Sequence, residues 1–579
     1  MRKLAILLIP ILVLALILTA VSCSNNENES TFTVGVPTVE GPITEPGEPF
    51  DRAIKAGRAL ADDGYEAKEF FISGTATSYS TVDDLPDNGV WEVEQAETAA
   101  YKTRILVYRP VDPAEFNGTL VVEWLNVTAG IEAAPDYKLL HTELLRRGYA
   151  WIGVSAQYLG VEGGDASHSM AIVEMDLKTM DPERYGSLSH PGDSYSYDIY
   201  SQVAAAIRNP GEVDPLAGYD VERILAVGES QSAFRLTTYI NAVHPHVQLY
   251  DGFLVHSRGG NAAPLRDDPG YDMSDFSGGI KLRTDLDTPV LILQTETDIF
   301  ELGYYVARQD DTDYIRLWEM AGTAHADLYL SVTGEGDDGT DPAIADLAEE
   351  VNPNPFTTCD LPINSGPQHF IAKAALHQLD QWVRTGIAPS SAPRFEITGD
   401  TPAFVVDVYG NVVGGIRTPY VDVPIARLSG EGQPAGSSSQ SLLYGVTELF
   451  DGETLLALYT DHATYVAAVE EATDVAVQAG YLMSEDGALI KAAAAASSIG
   501  EPITEPEPEP EGLTINSSIQ DILAYPGGEA LLRSCLGDEL VDNPQFSMAG
   551  GYSVPQLAGL SASITEEMVA CVEAGLPSL

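Results

Sequence analysis

The sequence predicts an α/β domain built on a mainly parallel sheet, followed by a small separate helical module. Strand and helix patterns alternate over residues 49–500, the order in which βαβ units follow one another along a chain. Several strand segments are continuous apolar runs, as expected where helices cover both faces of a sheet. From residue 513 the apolar residues recur at every third and fourth position instead, which is typical of amphipathic helices.

The N-terminus has the organisation of an export signal. Two basic residues precede an apolar run from Leu4 to Ala20, and small residues lead to Cys23. The Ala-Val-Ser before this cysteine resembles a bacterial lipobox, which predicts that residues 1–22 are a lipoprotein-type signal peptide and that the Cys23 thiol is acylated. An ordinary signal peptide or a membrane-spanning anchor are the alternatives. We expect an exported protein, anchored to the cell envelope with the outer membrane as the expected site, or secreted.

Two polar segments divide the rest of the chain. Residues 23–48 are rich in Pro, Glu and Thr, and we expect them to form a flexible tether. The composition of residues 501–512 predicts a second linker, stiffened by proline and extended by repulsion between glutamates. These segments bound a main domain at residues 49–500 and leave residues 513–579 as the helical module.

The charge of the chain excludes one class of partner. Lys and Arg total 30 residues against 86 Asp and Glu, which gives a net charge of −56. A surface this acidic repels phosphate backbones, so nucleic acid is not an expected partner. It also disfavours docking on anionic lipid, so we expect membrane contact through a lipid anchor only.

The cysteines are too few for a disulfide-built scaffold or a zinc ribbon, since the chain has four of them. Cys535 and Cys571 both lie on predicted helices of the module, whose core is thin. A disulfide between them would suit an exported domain. Two free buried thiols are the alternative interpretation.

The strand positions of the main domain decide where reactive side chains can gather, because these lie at the carboxyl ends of parallel strands. The predicted strands are Arg104–Tyr108, Thr119–Trp124, Ala150–Ser155, Arg223–Val227, Gly252–His256, Pro289–Leu293 and Tyr314–Glu319. The predicted helices include Tyr137–Arg147, Tyr200–Arg208, Gln368–Thr385, Ile519–Leu523, Gly528–Cys535 and Thr565–Glu573.

The segment Gly228–Ser232 has the pattern of a nucleophile elbow. It reads Gly-Glu-Ser-Gln-Ser, and it joins a short buried strand directly to a helical pattern. Small residues two positions before and after Ser230 would let the chain turn sharply and lift the hydroxyl above the sheet edge. The last of them is Ser232, where glycine is usual.

A serine hydroxyl needs a base to accept its proton and an acid to orient the base. In folds with this elbow, the three residues follow the chain order serine, acid, histidine. Asp298 and Glu296 come after the strand Pro289–Leu293, and His325 follows the next strand on a loop opened by glycine. We predict Ser230 as nucleophile, His325 as base and Asp298 as the acid, with Glu296 as the alternative acid.

Each of these three residues also has a purely structural interpretation, as a turn residue, a helix cap and a loop histidine. Other histidines compete with His325. His256 precedes the candidate acids, so the chain order is wrong for it, and His369 and His377 lie within a predicted helix.

An oxyanion hole requires two backbone N–H groups aimed at the developing charge. Gln231, directly after the nucleophile, is the first expected donor. Asn126 or Val127, after the strand Thr119–Trp124, is the expected second donor. The sequence shows no metal-ligand or dinucleotide-binding pattern, and we expect neither a metal nor a cofactor.

The sequence resembles the alpha/beta hydrolase domain family of exported bacterial proteins. The resemblance covers roughly residues 35–498, and it rests on several segments besides Gly228–Ser232. These segments are Gly64–Ala76, Asn117–Val127, Gly153–Gln157, Glu296–Asp298, Gly322–His325 and Gly414–Pro424. Residues 513–579 resemble helical tails appended to other secreted hydrolases.

The resemblance implies an α/β-hydrolase fold with large lid-type insertions, with residues 49–500 as the catalytic domain. It also implies hydrolysis of a carboxylic ester or a related acyl bond. Together with the elbow, it leads us to expect a serine hydrolase that forms an acyl-enzyme on a small-molecule or polymer-derived ester. A non-catalytic surface-binding protein on the same scaffold, an acyltransferase and a peptidase are the alternatives.

Overall fold

The computed structural model describes most of the chain. The described residues are 32–51, 54, 59–164, 175–266, 278–346, 359–434, 440–501, 513–541, 546, 551–560 and 564–578. The predicted signal peptide, Cys23 and the linker after residue 501 lie outside them. Among these residues, no helix combines the length and the apolar character needed to cross a membrane.

The described part of the chain contains one sheet of nine strands. They are β1 (Thr38–Glu40), β2 (Tyr65–Thr81), β3 (Val93–Pro110), β4 (Thr119–Trp124), β5 (Ala150–Val154), β6 (Arg223–Glu229), β7 (Gly252–His256), β8 (Val290–Gln294) and β9 (Ile315–Glu319). Their order is β1-β2-β3-β5-β4-β6-β7-β8-β9. The first three strands and the β3–β5 pair are antiparallel, and β5-β4-β6-β7-β8-β9 run parallel. The predicted mainly parallel architecture is confirmed.

The helices of the main domain follow the strands in alternation. They are α1 (Pro135–Arg146), α2 (Tyr158–Glu162), α3 (Leu177–Met180), α4 (Pro182–Tyr185), α5 (Ser196–Arg208), α6 (Gln231–Thr238), α7 (His244–Val247), α8 (Glu296–Phe300), α9 (Leu328–Ser331), α10 (Gln368–Thr385), α11 (Pro419–Asp422), α12 (Gly452–Leu458), α13 (His462–Ala479) and α14 (Ser484–Ala496). A π-helical stretch, Tyr239–Val243, joins α6 to α7. Short 3₁₀ turns lie at Leu60–Asp63, Pro113–Glu115, Asp193–Tyr195, Tyr304–Ala307, Thr333–Gly336, Pro342–Ala345, Ser441–Tyr444 and Leu576–Ser578.

Two hydrophobic cores cover the two faces of the sheet. Ile224 and Ala226 of β6 belong to the core that includes α5, whereas Leu225 and Val227 belong to the core that includes α1 and α10. Successive side chains of a strand point to opposite faces, so a strand buried on both sides is apolar at every position. This explains why β4 and β7 have the predicted bounds, and why the other predicted strands except β3 differ by only a residue or two at their ends. Helix α10 also has the predicted bounds.

The long antiparallel strands β2 and β3, near one edge of the sheet, differ most from the sequence prediction. They pair over nearly their whole length, but only the second half of β3 was predicted as a strand. The first half of β3 is largely exposed, and its polar residues give no buried apolar run. An exposed antiparallel edge therefore lacks the signal on which the other strands were found.

The predicted tether at residues 23–48 is wrong for its described part, residues 32–48. Residues Thr38–Glu40 pair with β2 as an additional strand. The buried guanidinium of Arg184 donates hydrogen bonds to the carbonyl groups of Ile43, Pro46 and Gly47. A polar composition suggested a free segment, but backbone carbonyls that satisfy a buried cation hold it against the domain.

Smaller elements complete the main domain. Two short antiparallel pairs follow α10, formed by β10 (Ile397–Thr398) with β11 (Ala403–Phe404), and by β12 (Ala426–Ser429) with β13 (Val446–Leu449). The expected large insertions are the long segments between β5 and α5, between β7 and β8, and between β9 and α10.

The C-terminal module has its own hydrophobic core, which includes Ile519, Leu532 and Val572. Its helices are α15 (Ile519–Ala524), α16 (Gly528–Leu536), α17 (Asp538–Val541), α18 (Val554–Leu560) and α19 (Glu566–Gly575). A disulfide joins Cys535 of α16 to Cys571 of α19, with a Cα–Cα distance of 5.6 Å. This bond closes a loop of 36 residues in a module with a small core, and such a cross-link restricts the unfolded chain. Cys359 is buried and lies outside this disulfide.

Candidate active site

Ser230 lies on a sharp turn between β6 and α6. Its backbone has φ 58° and ψ −121°, a conformation that non-glycine residues rarely adopt. Gly228 makes the turn possible, because a Cβ atom there would lie 3.1 Å from the side chains of Leu236 and Ser232. The elbow predicted from the sequence is therefore formed, and it leaves the Ser230 side chain half-buried at the carboxyl end of β6.

Three of the predicted site residues form a continuous chain of hydrogen bonds. The Ser230 hydroxyl lies 2.9 Å from His325 Nε2, and His325 Nδ1 lies 2.7 Å from Asp298 Oδ1. Asp298 is fully buried and His325 is 4% exposed. The three side chains come from the carboxyl ends of β6, β8 and β9, which the parallel sheet brings to one edge.

The two candidate acids point in different directions. Helix α8 begins at Glu296, and residues two positions apart on a helix are separated by about 200° of rotation. Asp298 consequently faces His325, with its second oxygen accepting the N–H of Thr295 at 2.7 Å. Glu296 instead accepts the N–H groups of Gly322 at 2.6 Å and Gly430 at 2.8 Å.

Glu296 therefore supports the loops behind the site. Gly430 packs so closely on α8 that a Cβ atom there would lie 2.5 Å from the backbone nitrogen of Thr297. The Thr297 hydroxyl joins the same two loops, since it donates to the Gly430 carbonyl and accepts the N–H of His325. Burial raises the pKa of Glu296 to about 7.

The electrostatic surroundings of His325 favour its protonated form. Burial alone would lower its pKa, but the charge of Glu229 and the hydrogen bond that His325 Nδ1 donates to Asp298 outweigh burial and raise it. Neutral imidazole is the form that can accept a proton from Ser230. The fraction of the base in this form therefore falls as the pH decreases through the raised pKa.

Two backbone N–H groups, one next to Ser230 in the chain and one in the loop after β4, remain available to an oxyanion in the described residues. Gln231 is the first residue of α6, and its N–H has no acceptor within the described ranges. The N–H of Val127 likewise has no acceptor there. Asn126 was the other predicted donor and is excluded, because its N–H already donates to the Ala133 carbonyl at 2.9 Å.

Asn126 has a structural part in the site instead. Its side-chain amide donates to the Glu229 carbonyl at 3.1 Å and accepts the N–H of Thr128 at 2.8 Å. These bonds tie the loop after β4 to the strand that carries Ser230. Asn126 thus helps to set the distance between Val127 and Gln231, although the backbone N–H of Asn126 itself does not point into the site.

Sequence reasoning did not find Glu229 and gave His256 no part in the site. Glu229 Oε1 lies 3.3 Å from His325 Nε2, the nitrogen that also contacts Ser230. His256 Nδ1 lies 2.8 Å from Asp136 Oδ1, and the carbonyl of His256 accepts the N–H of Ser230. The position of Glu229 inside the elbow was a usable signal, whereas nothing in the sequence links His256 to Asp136.

No group of three or more His, Cys, Asp or Glu side chains suited to a metal ion occurs in the described part of the molecule. The residues that do come together can perform acyl transfer. An oriented histidine can accept the serine proton, and N–H groups can stabilise charge on an attacked carbonyl oxygen.

The fold and this site define a protein of the α/β-hydrolase class. The chain belongs to the alpha/beta hydrolase domain family, whose model matches residues 39–492. The family predicted from sequence segments is thereby confirmed. A search with the sequence found no curated protein that matches it.

Solved structures with a similar arrangement include three hydrolase-type proteins. A glucuronoyl esterase from Solibacter usitatus is 13% identical, with 48% of this chain and 83% of that chain covered and a TM-score of 0.23. A fungal esterase from Rhizomucor miehei is 9% identical, covering 45% and 78%, with a TM-score of 0.25. An alpha-beta serine hydrolase homologue from Coxiella burnetii is 13% identical, covering 39% and 84%, with a TM-score of 0.23. At these values the three structures say nothing about the substrate of this chain.

Proposed function

We propose that this protein is a serine hydrolase that cleaves a carboxylic ester through an acyl-enzyme intermediate. The observation that carries the proposal is the unbroken contact from Asp298 through His325 to the Ser230 hydroxyl. This contact supplies what a serine requires to act as a nucleophile at neutral pH, namely a base at its proton and an acid that orients the base.

The proposed reaction has two halves. Ser230 Oγ attacks the ester carbonyl while His325 Nε2 takes its proton, and the N–H groups of Gln231 and Val127 hold the oxyanion. His325 then donates the proton to the departing alcohol, which leaves the acyl group on Ser230. Water repeats the sequence on the acyl-enzyme, with His325 as base again, and releases the acid.

The ester bond is favoured over the amide bond as substrate because no feature of the sequence indicates a peptide-binding specificity. The acyl donor is expected to be a small-molecule or polymer-derived ester. No cofactor is needed for this chemistry, since the nucleophile, the base and the oxyanion donors are all groups of the chain itself.

Reaction with a fluorophosphonate probe tests the proposal. We expect the probe to label the purified protein and peptide mass analysis to place the adduct on Ser230, because the probe reacts only with activated serines. A panel of p-nitrophenyl esters of graded acyl length should then show turnover and define the preferred acyl group. Heat-denatured protein is the control.

The alternatives predict different outcomes of the same experiment. A non-catalytic surface-binding protein would show neither labelling nor turnover, which would contradict the proposal. An acyltransferase would be labelled, but adding an alcohol acceptor would give the transfer ester in place of the free acid. A peptidase would cleave peptide amides at rates comparable with the esters.

We further propose that the protein is exported and anchored by lipid at Cys23, in the outer membrane or another membrane of the cell envelope. The motif that supports this is the apolar run followed by Ala-Val-Ser-Cys. Replacement of Cys23 by serine should move the protein from the membrane fraction to the soluble fraction, or leave the precursor uncleaved, because no thiol remains to be acylated. Immunoblots of fractionated cells measure this, and unchanged membrane association of Cys23→Ser would contradict the lipid anchor.

A further inference from the structure

Glu229 occupies an unusual position for a carboxylate. It is the last residue of β6, it directly precedes Ser230, and only 4% of its surface is exposed. Its Oε1 atom lies 3.3 Å from His325 Nε2, while Asp298 contacts the opposite ring nitrogen at 2.7 Å. The imidazole of His325 is thus flanked by a carboxylate on each side.

The groups around Glu229 include two histidines but no lysine or arginine in the described residues. The groups that face it are His325, His256, Asp136, Asp298 and Tyr444. His256 is already bonded to Asp136, and no Lys or Arg nitrogen in the described residues lies within 4.0 Å of the Glu229 carboxylate. A buried carboxylate without a cation in contact is costly, and of the two histidines that act on Glu229 only His325 lies within 4.0 Å of its carboxylate.

The register of the sheet holds Glu229 in this place. Glu229 pairs with His256 across β6 and β7, and its carbonyl accepts the side-chain amide of Asn126. These bonds fix the backbone of Glu229 beside the elbow, and burial of all but 4% of the residue leaves its carboxylate little access to solvent. Its contact with His325 is therefore made inside the site, where water does not compete for the carboxylate.

We propose that Glu229 is a positioning residue of the acyl-transfer reaction, whose carboxylate is the second counter-charge for the His325 imidazolium. The proposal rests on the proposed function. In the first step the Ser230 O–H bond breaks, the Oγ–carbonyl bond forms, and the proton becomes bound to His325 Nε2. The positive charge appears on the ring between Asp298 and Glu229, and it disappears when Nε2 gives the proton to the departing alcohol oxygen.

This arrangement has a cost at low pH. The same carboxylate that stabilises the imidazolium in the reaction also stabilises it in the free enzyme, and there the protonated ring cannot act as base. Burial raises the pKa of Glu229 to about 7, and the nearby His325 and His256 counteract this rise. Glu229 and His325 are in contact, so the acidic limb of the pH profile belongs to the pair.

The variant Glu229→Gln separates this role from a structural one. Glutamine keeps the shape and removes the charge, so the plateau of kcat at high pH should fall about tenfold, as expected when one charge interaction with the imidazolium is lost. At the same time the midpoint of the acidic limb should move to lower pH, because the negative charge that stabilised protonated His325 on its Nε2 side is gone. Glu229→Asp keeps the charge at a greater distance and should restore part of both effects.

A matched control is available on the neighbouring strand. Glu123 of β4 is also fully buried, and its carboxylate accepts the N–H groups of Asp136, Tyr137 and the Trp151 ring. Burial, together with the charge of Asp136, raises the pKa of Glu123 well above its usual range, and none of its hydrogen bonds in the described residues reaches His325 or Ser230. Glu123→Gln should leave the midpoint of the pH profile unchanged.

The measurements are the pH dependence of kcat and of the fluorophosphonate labelling rate, from pH 5 to 9, for all four proteins. A lower plateau with an unmoved midpoint in Glu229→Gln would overturn the proposal, since loss of packing lowers activity without changing the charge on His325. An unchanged plateau would overturn it as well. Failure of the wild-type protein to be labelled or to turn over any ester would instead contradict the proposed function, so the two failures are distinguishable.

Discussion

Replacement of Asp298 by asparagine is expected to lower kcat by about 10⁴-fold. The reason is a choice of tautomer. The N–H of Thr295 is a fixed donor to the second oxygen of Asp298, so the amide oxygen of asparagine must face it. The amide NH₂ then faces His325 Nδ1, which must accept a hydrogen bond and carry its proton on Nε2. A histidine with a proton on Nε2 cannot accept the proton of Ser230.

Glu296→Gln is the comparison variant, because it removes a carboxylate of similar burial from the same helix. Its amide can accept only one of the two backbone N–H groups that Glu296 accepts, from Gly322 and Gly430. We expect a loss of about 1–3 kcal/mol in the free energy of unfolding, since a buried N–H is left without an acceptor. The kcat of the folded fraction should change far less than in Asp298→Asn.

Steady-state kinetics and thermal unfolding of both variants provide the test. Circular dichroism should show that Asp298→Asn remains folded, because the substitution keeps the shape of the side chain. If Glu296→Gln were the inactive variant and Asp298→Asn retained activity, the acid of the site would be Glu296 and the proposed assignment would be wrong.

Replacement of Ser230 by alanine is expected to lower kcat on the order of 10³-fold or more. Alanine has the same steric requirement for the positive φ of this residue, so the strain of the turn does not change. The loss therefore reports the missing hydroxyl. The proposed oxyanion donors, Gln231 and Val127, remain in place and can support a small residual rate by direct attack of water.

Ser232→Ala is the matched control for this prediction. Ser232 lies two residues further in the same elbow, it is fully buried, and its hydroxyl has no hydrogen-bond partner among the residues that the structure describes. Its replacement should leave ester turnover and probe labelling close to the wild-type values. Ester turnover by Ser230→Ala at a rate similar to the wild type would contradict a serine mechanism altogether.

Much of the candidate site could be predicted because it depends on local patterns at strand ends. Ser230, Asp298 and His325 each follow a buried apolar strand, and parallel strands bring their carboxyl ends to one edge. The order of the three residues along the chain was therefore enough to place them together. The pairing of Cys535 with Cys571 was predicted because both lie on helices of one small module with a thin core.

The choice between neighbouring residues depended on geometry that the sequence does not contain. Asp298 and Glu296 are both acidic and both follow β8, but the start of α8 at Glu296 turns them to different sides. Asn126 and Val127 are adjacent, and a single backbone bond to Ala133 decides which N–H remains available. Such differences arise from one helical turn or one backbone bridge, and the spacing of apolar residues in the sequence does not predict them.

The sequence by itself determined the α/β class, the strands with two covered faces and the three residues of the hydrogen-bonded chain. These features follow from local order and burial, which apolar runs and small residues record directly. Only the tertiary structure decided three contacts. Residues 32–48 are held by Arg184, β2 and β3 pair along a long antiparallel stretch, and Glu229 faces His325. These contacts join residues that are distant in the chain. A buried charge needs a partner, but no pattern in the sequence indicates which residue that partner is.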